Sequence, residues 1–325
     1  MNMKKRLKNS GTSRLLFATF LLLLPISLYA QKIPATIKHP PGNFVVVNGA
    51  KIWYESEGKG EPLLLIAGGP GSAHYFHPYF SILADSYRVI YFDAFGRGKS
   101  ERAKSPKEYT FERDVNDIEG LRKALGLGKI NILGHSYGGM VAQAYALKYP
   151  DSVKRLILAD TLFSGEMWQA NNDSSNHELR NQYPEVWEKM ENLRAQGFHS
   201  STKEHQDAYQ IPQGLLYFYN PSNAEGLAQP DFNPEVYYSM AGDDADFLIG
   251  GDIAKLDFRT ELKNLKMPTL ILTGRYDRVS LPRFAVQFKR YAPQAKFVMF
   301  EKSGHNPFIE ETAKTMEVLR EFLGK

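Results

Sequence analysis

The stretch of sequence that decides the fold reads Ile130-Asn131-Ile132-Leu133-Gly134-His135-Ser136-Tyr137-Gly138-Gly139. Its first four residues are mainly apolar, which is typical of a short strand buried in a sheet. A helical pattern follows from Tyr137 to Tyr149. A G-x-S-x-G sequence between a strand and a helix predicts a nucleophile elbow, a sharp turn whose small flanking residues let the Ser136 hydroxyl project from the sheet edge.

The same alternation of strands and helices extends along the chain on both sides of this stretch. The apolar runs predict eight strands, which are Asn43–Val47, Lys51–Ser56, Pro62–Ile66, Arg88–Phe92, Ile130–Leu133, Leu156–Ala159, Thr269–Thr273 and Lys296–Phe300. The first two are expected to form a hairpin around Asn48-Gly49. Helical patterns occupy Phe111–Leu125, Tyr137–Tyr149, and regions near Arg283–Tyr291 and Glu311–Leu323. This order predicts the α/β class, with a mostly parallel twisted sheet covered by helices on both faces.

The segment from residue 161 to residue 265 interrupts this rhythm. It is rich in aromatic residues, Asn, Pro and Gly, and it contains helical patterns such as Glu185–Ala195. Because it lies between the end of one strand and the start of the next, it should cover the edge of the sheet where α/β proteins bind ligands. We therefore expect a core of residues 31–160 and 266–325, with residues 161–265 inserted as a helical lid.

The first thirty residues have the layout of a secretory signal peptide. A basic region is followed by an apolar run from Leu15 to Leu28, and cleavage after Ala30 would leave a small residue at the cut. The run is short for a bilayer span, which needs about 20 residues. The alternative is an uncleaved N-terminal anchor. The pattern predicts an exported protein, periplasmic or secreted, with no stable membrane span after signal removal.

Charge and cysteine content exclude several classes of partner. The chain has 40 basic and 36 acidic residues, but the first thirty residues hold five of the basic ones, so the remainder has 35 basic and 36 acidic. No basic surface is left to indicate binding to nucleic acid or to an anionic membrane. The absence of cysteine rules out disulfides and thiolate metal sites.

A serine nucleophile needs a base, and two residues late in the chain fit the order Ser, Asp, His. Asp277 follows one predicted strand and His305 follows the next. Both therefore fall on the same rim of the sheet as Ser136. His305 is expected to act first as general base and then as general acid, while Asp277 fixes its tautomer.

Other acidic residues and histidines fit these roles less well. The rival acid is Asp160, which ends the strand Leu156–Ala159. His135 should point away from its neighbour Ser136. Solvated polar positions are expected for the histidines of the N-terminal segment and the lid, which are His39, His177, His199 and His205.

Two glycine-rich loops follow other buried strands. The loop Ala67-Gly68-Gly69-Pro70-Gly71 can direct backbone N–H groups toward a developing negative charge. The amides of Gly69 and Tyr137 are the expected oxyanion hole. The loop Asp93-Ala94-Phe95-Gly96-Arg97-Gly98-Lys99-Ser100 is expected to border the pocket without a catalytic role.

Together the Gly-Gly-Pro-Gly loop, the D-x-x-G-x-G-x-S loop, the Gly-His-Ser-Tyr-Gly-Gly elbow and the late Asp and His resemble prolyl aminopeptidases (proline iminopeptidases) and related tricorn-type aminopeptidases of the α/β-hydrolase fold. The similarity extends from about Asn43 to the C-terminus and is weak in the lid. It implies removal of a small N-terminal residue, often proline, from peptides or amides through an acyl-enzyme.

The sequence departs from that family in two places. Ala67 stands where the family usually has histidine, and Gln213 stands where a lid acid would be expected to bind the substrate amine. A second acidic region of the family resembles Gly242–Phe247, so Asp243, Asp244 and above all Asp246 are candidate amine ligands. The alternative for these acids is a solvated loop.

Three functions remain open from the sequence. The first is an exported prolyl-type aminopeptidase acting on a small molecule or short peptide. The second is a serine esterase, lactonase or amidase acting on a small substrate without a free amine, because a fold does not fix a function. The third is a binding protein that does not turn over. The triad chemistry implies no metal and no organic cofactor, and the oligomeric state is left open.

Overall fold

A computed structural model describes residues 38–209, 214–226 and 231–324 of the chain. The predicted signal peptide and Gln213 lie outside these ranges. Within the described residues, no helix combines the length and the hydrophobicity needed to cross a membrane.

The described residues form one eight-stranded sheet. Its strands in chain order are β1 Gly42–Val47, β2 Ala50–Glu57, β3 Glu61–Ile66, β4 Tyr87–Phe92, β5 Ile130–His135, β6 Val153–Ala159, β7 Thr269–Gly274 and β8 Lys296–Phe300. They are arranged in the spatial order β1-β2-β4-β3-β5-β6-β7-β8. The β1–β2 and β2–β4 pairs are antiparallel and the other pairs are parallel. The predicted α/β class and mostly parallel sheet are confirmed.

The first hairpin turns at the dipeptide that the sequence indicated. Val47 pairs with Ala50, which leaves Asn48 and Gly49 as a two-residue loop. Both residues have positive φ, 46° and 84°, as a type I′ turn requires. Asn and Gly tolerate this conformation better than other residues, so the local sequence fixes the register of the hairpin.

The central strands are buried because helices cover both faces of the sheet. The α-helices of the described residues are α1 Phe111–Ala124, α2 Tyr137–Lys148, α3 Gly165–Gln182, α4 Pro184–Ala195, α5 Lys203–Ala208, α6 Gly214–Tyr217, α7 Pro234–Ala241, α8 Pro282–Ala285, α9 Phe288–Tyr291, α10 Pro307–Glu310 and α11 Thr312–Leu323. Alternate residues of β3 enter different cores. Leu64 packs with α1 and α2, whereas Leu63 packs with α11.

Helices α3 to α7 all come from the segment between β6 and β7. In its described residues this segment adds no strand to the sheet. Helix α4 corresponds to the predicted helix Glu185–Ala195. The helix predicted near Glu311–Leu323 is confirmed as α11, and the short helix α10 precedes it. One prediction needed correction, because the helix expected near Arg283–Tyr291 is divided into α8 and α9.

Candidate active site

Ser136 occupies a strained turn between β5 and α2. Its φ is +55°, a left-handed conformation that costs a non-glycine residue about 1–3 kcal/mol. The turn is held by Ser136 N–H donating to the carbonyl of Ala159 over 2.9 Å, and by the Thr161 hydroxyl donating to the Ser136 carbonyl over 2.6 Å. The backbone geometry is that of a nucleophile elbow.

The glycines of this motif are required by close packing. A Cβ atom on Gly134 would lie 2.3 Å from the carbonyl oxygen of Gly138. One on Gly138 would lie 2.3 Å from the carbonyl oxygen of Ile66, at the end of β3. These contacts would displace backbone, so the first turn of α2 can approach the sheet only with glycine at both positions.

His305 and Asp277 are brought together from the loops after β8 and β7. Both side chains are buried, and His305 Nδ1 donates to Asp277 Oδ2 over 2.9 Å. The other carboxylate oxygen, Oδ1, accepts the N–H groups of Val279 and Ser280 at 2.8 and 2.7 Å. Because the proton on Nδ1 is held by Asp277, Nε2 of His305 is left as the proton acceptor of the ring.

Asp160 lies beside Asp277 rather than against the imidazole. Its Oδ1 accepts the Gly274 N–H over 2.8 Å. Burial, and next the charge of Asp277, raise the pKa of Asp160 well above its usual value. Of the two candidate acids, the structure places Asp277 on His305, whereas Asp160 lies behind Asp277 in surroundings that disfavour its ionised form.

His135 does not point away from the site as the sequence suggested. Its ring is buried with its centroid 4.7 Å from that of His305. Its Nε2 contacts the His305 carbonyl oxygen at 2.7 Å and its Nδ1 contacts the Tyr75 hydroxyl at 2.5 Å. Burial, followed by the proximity of His305, lowers the pKa of His135 well below its usual value. It is therefore a neutral support beneath His305.

The two ring contacts of His135 fix the direction of a hydrogen-bond chain. A carbonyl can only accept, so Nε2 carries the proton and Nδ1 accepts from the Tyr75 hydroxyl. The Tyr75 oxygen in turn accepts the N–H of Gly68 over 2.7 Å. This series of hydrogen bonds uses the Gly68 N–H as a donor and links the Gly-Gly-Pro-Gly loop to the backbone of His305.

Gly69 follows in that loop with φ +51°, and its carbonyl accepts the N–H of Ser72 over 2.8 Å in a tight turn. Tyr137 is the first residue of α2. The N–H groups of a helix's first turn have no acceptor within the helix. The two amides predicted as an oxyanion hole thus belong to a loop and a helix start that pack against each other.

A buried ion pair supports this region and was missed by the sequence analysis. Arg97 donates through Nη1 and Nη2 to Asp114 at 2.7 and 2.6 Å, and through Nε to the carbonyl of Pro70. The Tyr137 hydroxyl donates to Asp114 over 2.6 Å. The position of Arg97 in a loop directly after a buried strand could have indicated a buried charge. Nothing in the sequence indicated that its partner would be Asp114, which lies on a separate helix.

Ser136 and His305 line one cavity of about 490 Å³. Gly68 and Gly69 border it from the core. Aromatic residues of the inserted segment form much of its lining, and these are Trp168, Tyr209, Tyr217, Phe232, Tyr237 and Tyr238. The inserted segment also positions the histidine loop directly, since the His305 N–H donates to the Tyr217 carbonyl over 2.8 Å.

The three candidate amine ligands are separated by the structure. Asp246 lines the cavity, and Tyr238 donates to it over 3.3 Å. Burial raises the pKa of Asp246 to about 6. Asp244 instead pairs with Arg194 at 2.7 Å, and Asp243 is exposed. Neither of these two lines the cavity, so the expectation is corrected to Asp246 alone.

The fold agrees with comparison to known proteins. The family model described as the alpha/beta hydrolase fold matches residues 61–312. The chain belongs to the α/β-hydrolase fold family.

Within that family the chain is similar to proline iminopeptidases. It is 30% identical over 288 residues to the proline iminopeptidase of Heyndrickxia coagulans, a match that covers 86% of this chain and 97% of the relative. The resemblance inferred from the motifs is confirmed by this similarity.

Solved structures show the same fold. The proline iminopeptidase of Mycobacterium smegmatis superposes with a TM-score of 0.66 at 22% identity, covering 87% of this chain and 97% of that one. The esterase from Exiguobacterium antarcticum superposes with a TM-score of 0.64 at 23% identity, covering 88% and 100%. At these identities the likeness concerns the fold alone.

Proposed function

We propose that the protein is a serine hydrolase in which Ser136 is the nucleophile, His305 the general base and Asp277 the acid that orients it. Support comes from the strained elbow at Ser136, the His305–Asp277 hydrogen bond and the cavity that both Ser136 and His305 line. A serine hydroxyl attacks an acyl carbon only when a base accepts its proton, and Nε2 of His305 is the free acceptor on this rim.

The reaction follows from these roles. Ser136 Oγ bonds to the carbonyl carbon of the substrate while His305 Nε2 takes the hydroxyl proton. The Gly69 and Tyr137 amides donate to the carbonyl oxygen as it becomes negative. The imidazolium then returns its proton to the leaving nitrogen, the carbon–nitrogen bond breaks, and an acyl-enzyme remains. Water attacks this ester by the same proton route and regenerates the serine.

The substrate class that we propose is a peptide or amide with a free N-terminal residue, typically proline. The observation that carries this proposal is the carboxylate of Asp246 in the same cavity as Ser136 and His305, within an aromatic wall. A protonated amine needs a negative partner in such a site, and tyrosine rings accommodate the compact apolar ring of proline. The similarity to a proline iminopeptidase over most of the chain supports the same substrate.

A paired substrate assay tests the amine requirement. We expect hydrolysis of proline β-naphthylamide and none of its N-acetylated form, because acetylation removes the cation that Asp246 would bind. Asp246→Asn should raise KM strongly, whereas Asp244→Asn, at an acid paired with Arg194 outside the cavity, is the matched control. Equal hydrolysis of both substrates would contradict the aminopeptidase proposal and leave the serine hydrolase proposal standing.

An esterase, lactonase or amidase acting on a substrate without a free amine is the second candidate. It is favoured by one observation: among the described residues that line the cavity, Asp246 is the only carboxylate. The fold is also that of an esterase from Exiguobacterium antarcticum. This candidate predicts preferential cleavage of short acyl esters and indifference to Asp246→Asn.

Labelling separates any hydrolase from a protein that only binds. We expect a fluorophosphonate probe to modify wild-type protein at Ser136 and to leave Ser136→Ala unmodified. Circular dichroism of the variant is the control for folding. Absence of labelling in folded wild-type protein would contradict the serine nucleophile.

We also propose that the protein is exported and cleaved after Ala30. The support is the basic and apolar pattern of residues 1–30. Intact mass and N-terminal sequencing of protein from its producing cells test this, and a mature chain that retains Leu15–Leu28 would instead indicate an anchor.

A further inference from the structure

Four potential metal ligands meet beside β2, at side chains that are not among the proposed catalytic residues. They are His39, Glu55, His74 and His77, and one ligand atom from each lies within 4.8 Å of the others. Glu55 Oε2 is the common centre. His39 Nδ1, His74 Nε2 and His77 Nε2 lie 2.8, 3.3 and 3.4 Å from it.

Two of these nitrogens are buried and reach Glu55 only at ion-pair distance. The side chains of His74 and His77 are 7% and 1% exposed, and their Nε2 atoms lie 3.3 and 3.4 Å from Glu55 Oε2. Among the described residues, neither Nε2 atom has a hydrogen-bond partner of good geometry. A buried polar atom normally has one, since leaving it unpaired costs about 1–3 kcal/mol. Two such atoms directed at one carboxylate oxygen form a set of donors that a cation can bind.

The other nitrogen of each of these rings is already engaged. His74 Nδ1 donates to Asp93 over 2.7 Å. His77 Nδ1 donates to Ser81 Oγ over 3.3 Å, and Ser81 donates onward to Glu57 over 2.6 Å. Partners of this kind fix the ring orientation of metal-binding histidines and select the tautomer in which a neutral ring has its lone pair on Nε2. In the neutral form, each ring would therefore present that lone pair to the centre of the cluster.

Two of the spacings fit a tetrahedral zinc site. Zinc lies about 2.0–2.1 Å from nitrogen and oxygen ligands, so two ligands of a tetrahedral site are about 3.3 Å apart. The 3.3 and 3.4 Å separations from Glu55 Oε2 match this tetrahedral edge, while the 2.8 Å separation to His39 Nδ1 is shorter and all four ligand atoms lie within 4.8 Å of one another. Three imidazoles suit Zn²⁺ and related transition metals, whereas Mg²⁺ and Ca²⁺ prefer oxygen ligands.

We propose that His39, Glu55, His74 and His77 form a structural Zn²⁺ site. Four protein ligands close the coordination sphere, as in structural rather than catalytic zinc sites. The site joins the N-terminal segment at His39 to β2 and to the loop that holds Tyr75. Through the Tyr75 contact with Gly68, zinc stiffens the Gly-Gly-Pro-Gly loop without taking part in the reaction.

Zinc binding is measured on tag-free protein, because a polyhistidine tag would itself bind the ion. After removal of metal with a chelator, isothermal titration with ZnCl₂ should show one tight site, and Co²⁺ should give the visible absorption of a tetrahedral complex. His39→Gln should weaken zinc affinity by on the order of tenfold or more, since it removes one of four ligands. Zinc should also raise the Tm of wild-type protein.

His199→Gln is the matched control, because His199 is also half-exposed, at 54%, but lies outside the cluster. His39 is 45% exposed, so its variant should fold, and fluorophosphonate labelling checks that it does. Glu55→Gln provides a second variant within the cluster. Absence of a stoichiometric site in wild-type protein, or equal zinc affinity in wild type, His39→Gln and Glu55→Gln, would overturn the proposal and assign the cluster to proton-mediated ion pairing.

Discussion

His135 Nε2 donates to the backbone carbonyl of His305 over 2.7 Å, so the residue next to the proposed nucleophile holds the loop of the proposed base. The same ring, through Tyr75, also fixes the amide of Gly68. One neutral histidine thereby couples the position of the base to that of the oxyanion loop.

Replacement of His135 should impair turnover more than substrate binding. We expect His135→Ala to lower kcat by about 10- to 100-fold with a smaller change in KM, because a displaced His305 is misaligned for proton transfer. Steady-state kinetics measure this, and His177→Ala, at an exposed position of α3, is the control. A variant with unchanged kcat and unchanged Tm would show that the contact is dispensable.

Substitution by asparagine should affect kcat very differently at the two neighbouring acids, Asp277 and Asp160. Asp277→Asn should reduce kcat on the order of 10³-fold or more, because the amide cannot stabilise the imidazolium and favours the wrong tautomer. Asp160→Asn should stay within about tenfold of wild type, because burial and the charge of Asp277 raise the pKa of Asp160 and disfavour the charge that the substitution removes. If Asp160→Asn were the more damaging change in a kcat comparison, the assignment of the acid would be reversed.

The preference for a free amine should depend on pH through Asp246. Its pKa is about 6, so it is neutral below pH 6 and ionised above. Burial raises the pKa of the facing hydroxyls of Tyr209, Tyr217, Tyr237 and Tyr238, which stay neutral in this range. A substrate amine remains protonated up to about pH 8. Binding of the amine should therefore strengthen from pH 5 to pH 7.

A ratio isolates this effect from the titration of His305. The kcat/KM for proline β-naphthylamide is divided by that for a neutral acetate ester at each pH, so that effects common to both substrates cancel. The ratio should fall as the pH drops below about 6, approaching tenfold per unit. It should be flat in Asp246→Asn; a wild-type ratio that is independent of pH would argue against an ionised Asp246 as the amine ligand.

The Arg97–Asp114 pair should be important for stability. Arg97→Met should lower the free energy of unfolding by about 3–5 kcal/mol, because it leaves Asp114 buried without its cation. The double variant Arg97→Met/Asp114→Leu should lose less free energy of unfolding than the two single variants lose in sum. The difference, which is the coupling energy, should be about 0.5–3 kcal/mol. Urea denaturation measures these values. Lys148→Met, in an exposed pair with Glu112, should change stability by less than about 1 kcal/mol, and strict additivity at Arg97 and Asp114 would contradict the coupling.

The sequence by itself determined the fold class and the positions of the sheet strands. Apolar runs, the Asn48-Gly49 turn and the glycines around Ser136 depend on local backbone chemistry, which neighbouring residues dictate. The positions of Ser136, Asp277 and His305 directly after predicted strands also identified them as candidate catalytic residues, because parallel strands place their carboxyl ends on one rim of the sheet.

Only the tertiary structure decided which side chains meet across distant segments. His135 was expected to point away and His205 to be solvated, yet His135 supports His305 and His205 is buried. Arg97 likewise finds Asp114 on a different element. Such contacts form only when loops from distant parts of the chain pack together in the folded protein. The pattern of apolar and polar residues along the chain predicts strands and helices, but it does not specify which of these distant side chains meet.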